Sequence, residues 1–229
     1  MNLPKRTAKN LRRALKRLTP RKLARAQLTR RAIKRFADEI GFVYFGVISR
    51  HDEDYRSIRG YTASATKVDE HYCVGTVNQY DVVLALRSDV VELKDDRTAN
   101  CHWLIAVIDL HEKKDVPDFY VGHDSRLEVF ESHERRVTSL KLGHVSEYPR
   151  QFLANYRVFG RAGQALEIES IFTPELATVV ATHFQGASFE LEDNVLYMYL
   201  DTEFPEKSQL EKILSNGTWL AAQIDAKLA

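Results

Sequence analysis

No aspartate or glutamate appears before Asp38, and no Trp, Tyr or Phe before Phe36. The first absence leaves 14 of the 33 Lys and Arg residues in an acid-free leader, so the rest of the chain sets 19 bases against 32 acids. The formal net charge of +1 therefore hides a dipolar molecule, a cationic arm on an anionic body. The second absence removes base stacking from what the arm can do. Long apolar runs are missing as well. The longest, 41–48 and 103–108, fall far short of the roughly 20 residues that cross a bilayer, so no integral span is expected. The leader has neither the apolar core nor the small-residue cleavage site of a secretory signal. It is Arg-rich like an organelle transit peptide, yet residues 1–36 contain no Ser.

Chemistry-bearing motifs are scarce. The two cysteines, Cys73 and Cys101, form no CxxC, which excludes a zinc framework or a disulfide scaffold and points to reduced thiols in sheet interiors. Among eight histidines none belongs to HExxH: His111 and Glu112 precede Lys113 and Lys114, and His133 and Glu134 precede Arg135 and Arg136. Gly160 and Gly163 bracket a short turn, not a phosphate loop. Cys73 with His71 on a strand lacks the orienting third group of a nucleophile site. No catalytic residue and no cofactor is assigned. One cluster suits a metal weakly: Asp52, Glu53 and Asp54, near Arg56 and Arg59. Adjacent carboxylates hold a hard divalent cation only where the loop turns tightly. A solvated acidic loop pairing with the arm is the plainer reading.

The arm is legible as two helices. Pro4, Ala8, Leu11, Leu15 and Leu18 fall on one side of a helix over 4–18, with the bases around the rest. Thr19 and Pro20 then read as a cap and a first-position proline. A second helix is predicted from Pro20 to Ile40, with Leu23, Ala26, Ile33, Phe36, Ala37 and Ile40 as its stripe and Gly41 as its stop. Its C-terminal half carries the largest apolar groups and is expected to dock on the body. Nine of the fourteen bases are Arg, the residue that pairs bidentately with phosphate. Nucleic acid, an anionic membrane surface and the chain's own acidic body all fit such an arm. The lack of aromatic anchors sets nucleic acid ahead of lipid headgroups. Arg12, Arg13, Lys16, Arg17, Arg30 and Arg31 are the predicted anionic-partner contacts.

Residues 41–229 are expected to form an α+β body, an antiparallel or mixed sheet with covering helices, divisible into a strand-rich part over 41–145 and a β-β-α-β-β-α part over 150–229. The sequence predicts a buried strand over 42–48, a hairpin of 71–77 and 80–87 about Asn78 and Gln79, and strands over 102–109 and 118–122. It also predicts extended segments over 153–159 and 165–172, and a helix opened by Thr173 and Pro174 and closed by Gly186. A second hairpin, 188–192 with 195–200, turns at Asp193 and Asn194. A last amphipathic helix carries Leu210, Ile213, Leu214, Leu220, Ile224 and Leu228 and is interrupted by Gly217.

The turn from Phe172 to Leu176, its helix, and the hairpin from Phe189 through Asn194 to Tyr199 resemble the C-terminal part of a bacterial domain family of unknown function. Tyr44 to Gly46, His51 to Glu53, Arg59 and Gly60, His71 and Tyr72, Val74 to Thr76 and Trp103 look like a group of Saccharibacteria proteins. The resemblance covers most of the chain after the arm and brings no catalytic residues. It implies a bacterial cytoplasmic location. Many members of the wider family carry membrane-spanning helices before this domain, where this chain has a basic helical arm, so the likeness also suggests a place peripheral to the membrane. The combined expectation is a nonenzymatic interaction or adaptor protein directed by its arm to an anionic surface. The competing class is a hydrolase or ligand-binding domain in which His71, Asp81, Arg87 or the carboxylates at 52–54 converge in space.

Overall fold

A computed structural model describes residues 20–46, 67–93, 97–126, 138–184 and 186–229. The predicted helix over 4–18, with Arg12, Arg13, Lys16 and Arg17, and the acidic cluster Asp52, Glu53 and Asp54 lie outside these residues.

The architecture is α+β. Helix α1 runs from Pro20 to Ile40 and ends at Gly41 (φ +79°), the left-handed stop its sequence requires. Strands β1 (Val43–Gly46), β2 (Val68–Val77), β3 (Tyr80–Glu92), β4 (Thr98–Asp109) and β5 (Phe119–His123) follow. After β6 (Thr138–Ser139) come α2 (Arg150–Asn155), β7 (Tyr156–Gly160), α3 (Ala165–Ile171), α4 (Pro174–His183), β8 (Ala187–Glu192), β9 (Val195–Asp201) and α5 (Lys207–Leu228). The nine strands of the described residues make one sheet in the order β1-β2-β3-β4-β9-β8-β5-β7-β6, and every neighbouring pair is antiparallel. Strands from both predicted parts of the body share this sheet, since β4 pairs with β9 and β5 with β8.

Both predicted hairpin turns are present. Asn78 and Gln79 (φ +51° and +72°) and Asp193 and Asn194 (φ +51° and +62°) take the left-handed backbone that two-residue hairpin loops demand. Four expectations are corrected. Strand β1 is a half-exposed terminal strand, not a buried one, with Val43 and Phe45 turned outward. Over 153–155 the chain is still helical, and extension begins at Tyr156. Residues 165–171 are a helix: Ile168, Ile171 and Phe172 share one face at helical spacing, which outweighs the apparent alternation. Helix α5 runs unbroken through Gly217, where a Cβ would stand 2.5 Å from the Ile108 methyl. The glycine permits close approach to β4 and does not break the helix. At α4 the first-position proline is present, but Thr173 makes no side-chain capping bond.

Among the described residues, all five helices contribute to one core on one face of the sheet, through residues such as Phe36 on α1, Phe152 on α2, Ile168 on α3, Val180 on α4 and Leu214 on α5. The other face carries a second buried set drawn only from strands, including Trp103, Ile105, Tyr120, Tyr197 and Tyr199. Cys73 belongs to the first set and Cys101 to the second, and no disulfide joins them. Among the described residues no helix is long and apolar enough to cross a membrane.

Candidate functional site

Helix α1 is the piece of the arm whose placement is visible. Its buried stripe is Thr29, Ile33, Phe36 and Ala37, which settle against β1, β2 and α5. Ile40 is half-buried and Ala26 exposed, while the side chain of Leu23 lies outside the described residues. The C-terminal half docks, as its apolar residues predict, because burying a large side chain such as Ile or Phe contributes roughly 1.5–3 kcal/mol. An exposed ion pair links it to α5. Glu39 accepts from Arg35 at 3.0 Å and from Lys207 of α5 at 2.6 Å, and these two cations hold its carboxyl below the usual range. Nearer the N-terminus, the Arg25 guanidinium lies 5.4 Å from the centre of the Phe204 ring.

The remaining cations of α1 are differently placed. Arg30, Arg31 and Lys34 are exposed, and no carboxylate among the described residues stands within ion-pair distance of them. Leu28, 61% exposed, lies on the same helix, and Val43 and Phe45 lie on the adjacent strand β1. Of these apolar residues, Phe45 lines one cavity with Arg30 and Lys34, whereas Leu28, two positions before Arg30, lies across the helix from it.

Two adjoining cavities open beneath this helix. The outer one, about 600 Å³, is lined by Gln27, Arg30 and Lys34 of α1, by Tyr44, Phe45 and Gly46 of β1, and by Glu70 and His71 of β2. The inner one, about 200 Å³, lies over the end of the sheet against Thr29, Ser88, His102, Thr202, Glu203 and Phe204. Ala26, Glu70 and His71 line both. Exposed yet small, Ala26 is a place where the helix roofs the space without filling it.

His71 marks the seam because β2 bulges there. Register with β3 shifts between Glu70 and Cys73, and His71 takes φ +59°, a left-handed backbone uncommon outside glycine. Its Nδ1 is 2.8 Å from the Tyr44 hydroxyl. Burial lowers the His71 pKa, and burial raises that of Tyr44, so both are neutral near pH 7. Whichever tautomer His71 adopts, one donor of the pair is left over. If Tyr44 donates to Nδ1, the Nε2–H remains; if Nδ1–H donates, the phenol O–H remains.

The bulge is anchored by an ion pair. Arg87 is buried and grips Asp69 through Nε–Oδ1 at 2.7 Å and Nη2–Oδ2 at 2.9 Å. Burial works against the guanidinium charge, but Asp69 more than offsets it and the Arg87 pKa is raised. Cys73, two residues beyond His71, has its thiol pushed up to about 12 by burial, which suits packing and not nucleophilic chemistry.

Of the residues expected to converge, His71 and Arg87 line the inner cavity. Asp81 does not join them; it accepts from Thr76 at 3.1 Å beside the β2–β3 turn. Arg30 lines the outer cavity, and Arg31 faces out from the same helix. Tyr44, Thr29 and Lys34 were not foreseen as cavity residues. For Thr29 the available signal was a polar residue at a stripe position of α1; no local pattern marked Tyr44 or Lys34. Among the described residues no group of three His, Cys, Asp or Glu side chains is placed to hold a metal.

No family model matches the chain, and no curated protein matches it. Among solved structures, a fold neighbour is found. The crystal structure of the mycobacterial trehalose monomycolate transport factor A, TtfA, aligns over 87% of this chain and 94% of that one, with a TM-score of 0.58 at 13% identity. At that identity the likeness is one of fold.

Proposed function

We propose that this protein is a nonenzymatic adaptor that docks on an anionic membrane surface through its basic arm, with α1 as the segment that joins the arm to the body. The observation that carries this reading is the set of exposed cations Arg30, Arg31 and Lys34 without carboxylate partners among the described residues, on a helix whose other face is bound to the core. Among the described residues, no carboxylate of the body pairs with these three cations. Arg35 is paired within the fold and is not counted toward docking.

Sequence alone set nucleic acid ahead of lipid. Two features support the reverse order: the exposed Phe45 shares a cavity wall with Arg30 and Lys34, and that cavity is of headgroup size. Apolar side chains among cations suit the headgroup–acyl boundary, whereas nucleic acid phosphates reward charge alone. A transport factor as the fold neighbour is compatible with an adaptor at a membrane.

The test is co-sedimentation with vesicles of anionic or zwitterionic lipid, set beside retention on double-stranded DNA. Wild type should bind the anionic vesicles, and Arg30→Glu/Arg31→Glu/Lys34→Glu should weaken that binding by a hundredfold or more, each cation near such a surface contributing roughly 1 kcal/mol. Retention on DNA without vesicle binding would move the assignment to nucleic acid. Unaltered vesicle binding by the variant would refute the role of α1.

A further inference from the structure

The two cavities beneath α1 differ in the chemistry of their walls. The outer lobe has Arg30 and Lys34 against one carboxylate, Glu70, together with the spare donor of the Tyr44–His71 pair. The inner lobe has the hydroxyls of Thr29, Ser88 and Thr202, the imidazole of His102, the carboxylates of Glu70 and Glu203, and an Arg87 whose charge is already matched by Asp69. An excess of donors and positive charge suits a phosphate oxygen. Hydroxyl, imidazole and carboxylate groups around a space of about 200 Å³ suit alcohol groups, which both donate and accept. The exposed side chain of Phe45 lines the outer lobe, where the tail of an amphiphile could remain outside.

We propose that the paired cavities form a site for a phosphorylated small polyol, with the phosphate between Arg30, Lys34 and the Tyr44–His71 pair and the hydroxyls in the inner lobe. This inference rests on the reading of α1 as a membrane-facing element, because it names the headgroup class that element would select. The same chemistry is offered by a lipid headgroup such as phosphatidylglycerol and by soluble glycerol phosphate. A backbone detail favours a ligand site over simple packing. His71 is held in a left-handed conformation at a bulge, which costs of order 1–3 kcal/mol for a non-glycine residue and tends to accumulate at binding sites.

The experiment measures calorimetric binding of glycerol phosphate and of inorganic phosphate to the full chain, and sedimentation with phosphatidylglycerol or phosphatidylserine vesicles of equal charge density. Three variants are compared. Arg30→Ala/Lys34→Ala removes the phosphate grip, and both positions are exposed. His71→Gly removes the imidazole while keeping a residue at ease with φ +59°. Arg31→Ala, which lines neither cavity, is the control for general surface charge.

Glycerol phosphate is expected to bind more tightly than inorganic phosphate and to compete with phosphatidylglycerol vesicles. The two pocket variants should weaken it about tenfold or more, and Arg31→Ala should leave it within twofold. Equal binding of both vesicle types without competition by glycerol phosphate would overturn the site and leave membrane docking standing. Binding of glycerol phosphate without vesicle association would do the reverse: the site would stand and the membrane reading fall. Loss of affinity in Arg31→Ala equal to that in the pocket variants would also overturn it, by showing a diffuse field in place of a site.

Discussion

Asp69→Ala should be the most damaging single change near the candidate site. The Arg87 side chain has no solvent exposure and that of Asp69 9%, so the substitution takes away the carboxylate that neutralises a buried guanidinium unable to lose its proton. Breaking a buried pair in this way costs roughly 3–5 kcal/mol, a large share of the about 5–15 kcal/mol that holds a domain together. The Asp69→Ala/Arg87→Met double variant should be less damaged than the single one. Removing both charges also removes the buried ion left without its carboxylate, and the methionine keeps most of the buried stem. Urea denaturation of wild type, both single variants and the double variant closes a thermodynamic cycle. A coupling of about 2 kcal/mol or more is expected. Functionally, Asp69 adjoins Glu70 and His71 at the bulge, so the single variant should also lose the site's ligand while the double variant regains part of it. Additive losses, or a cost below about 1 kcal/mol for Asp69→Ala, would refute the view that this pair holds the bulge.

Gly217→Ala should destabilise despite the better helix propensity of alanine, worth about 1 kcal/mol, because its methyl would meet Ile108 at 2.5 Å and Met198 at 3.2 Å. A net loss of about 1–2 kcal/mol in chemical denaturation is expected, with relief in the Ile108→Val background. Thiol labelling of the native protein at pH 8 should leave Cys73 unmodified for as long as the fold persists, since burial both shields it and raises its pKa to about 12; denaturant should expose it at once. His71 has a folded pKa below its unfolded value. The unfolded chain therefore binds more protons as pH falls below about 6.5, and native stability declines through that window. His71→Gly should flatten that part of the stability–pH profile, and an unchanged slope would count against a buried neutral imidazole.

Local chemistry explains what could be read in advance. Helix α1 was bounded by Pro20 and Gly41 because one residue presets helical φ and the other tolerates the left-handed stop. The hairpins at Asn78–Gln79 and Asp193–Asn194 were equally plain, since their turns need φ above zero and those residues accept it. Helix α3 was misread because its alternating apolar residues also fit a seven-residue helix, and short segments take their state from what they pack against. Glu169, inside that segment, is buried and accepts hydrogen bonds from the backbone N–H groups of Gly143, His144 and Val145, a partnership spanning more than twenty residues that no local pattern announces.

What the amino-acid sequence determined by itself was the charge asymmetry, the α+β class and the absence of familiar catalytic motifs. These depend on composition, periodicity and turn residues, all properties of neighbours along the chain. Only the tertiary structure decided that His71, Tyr44 and Arg30 share one cavity while Asp81 lies elsewhere. A site of that kind depends on sheet register, on a bulge that rotates one side chain, and on the angle at which a helix crosses strands. Those are set by long-range packing, in which each contact joins residues that are distant in the chain.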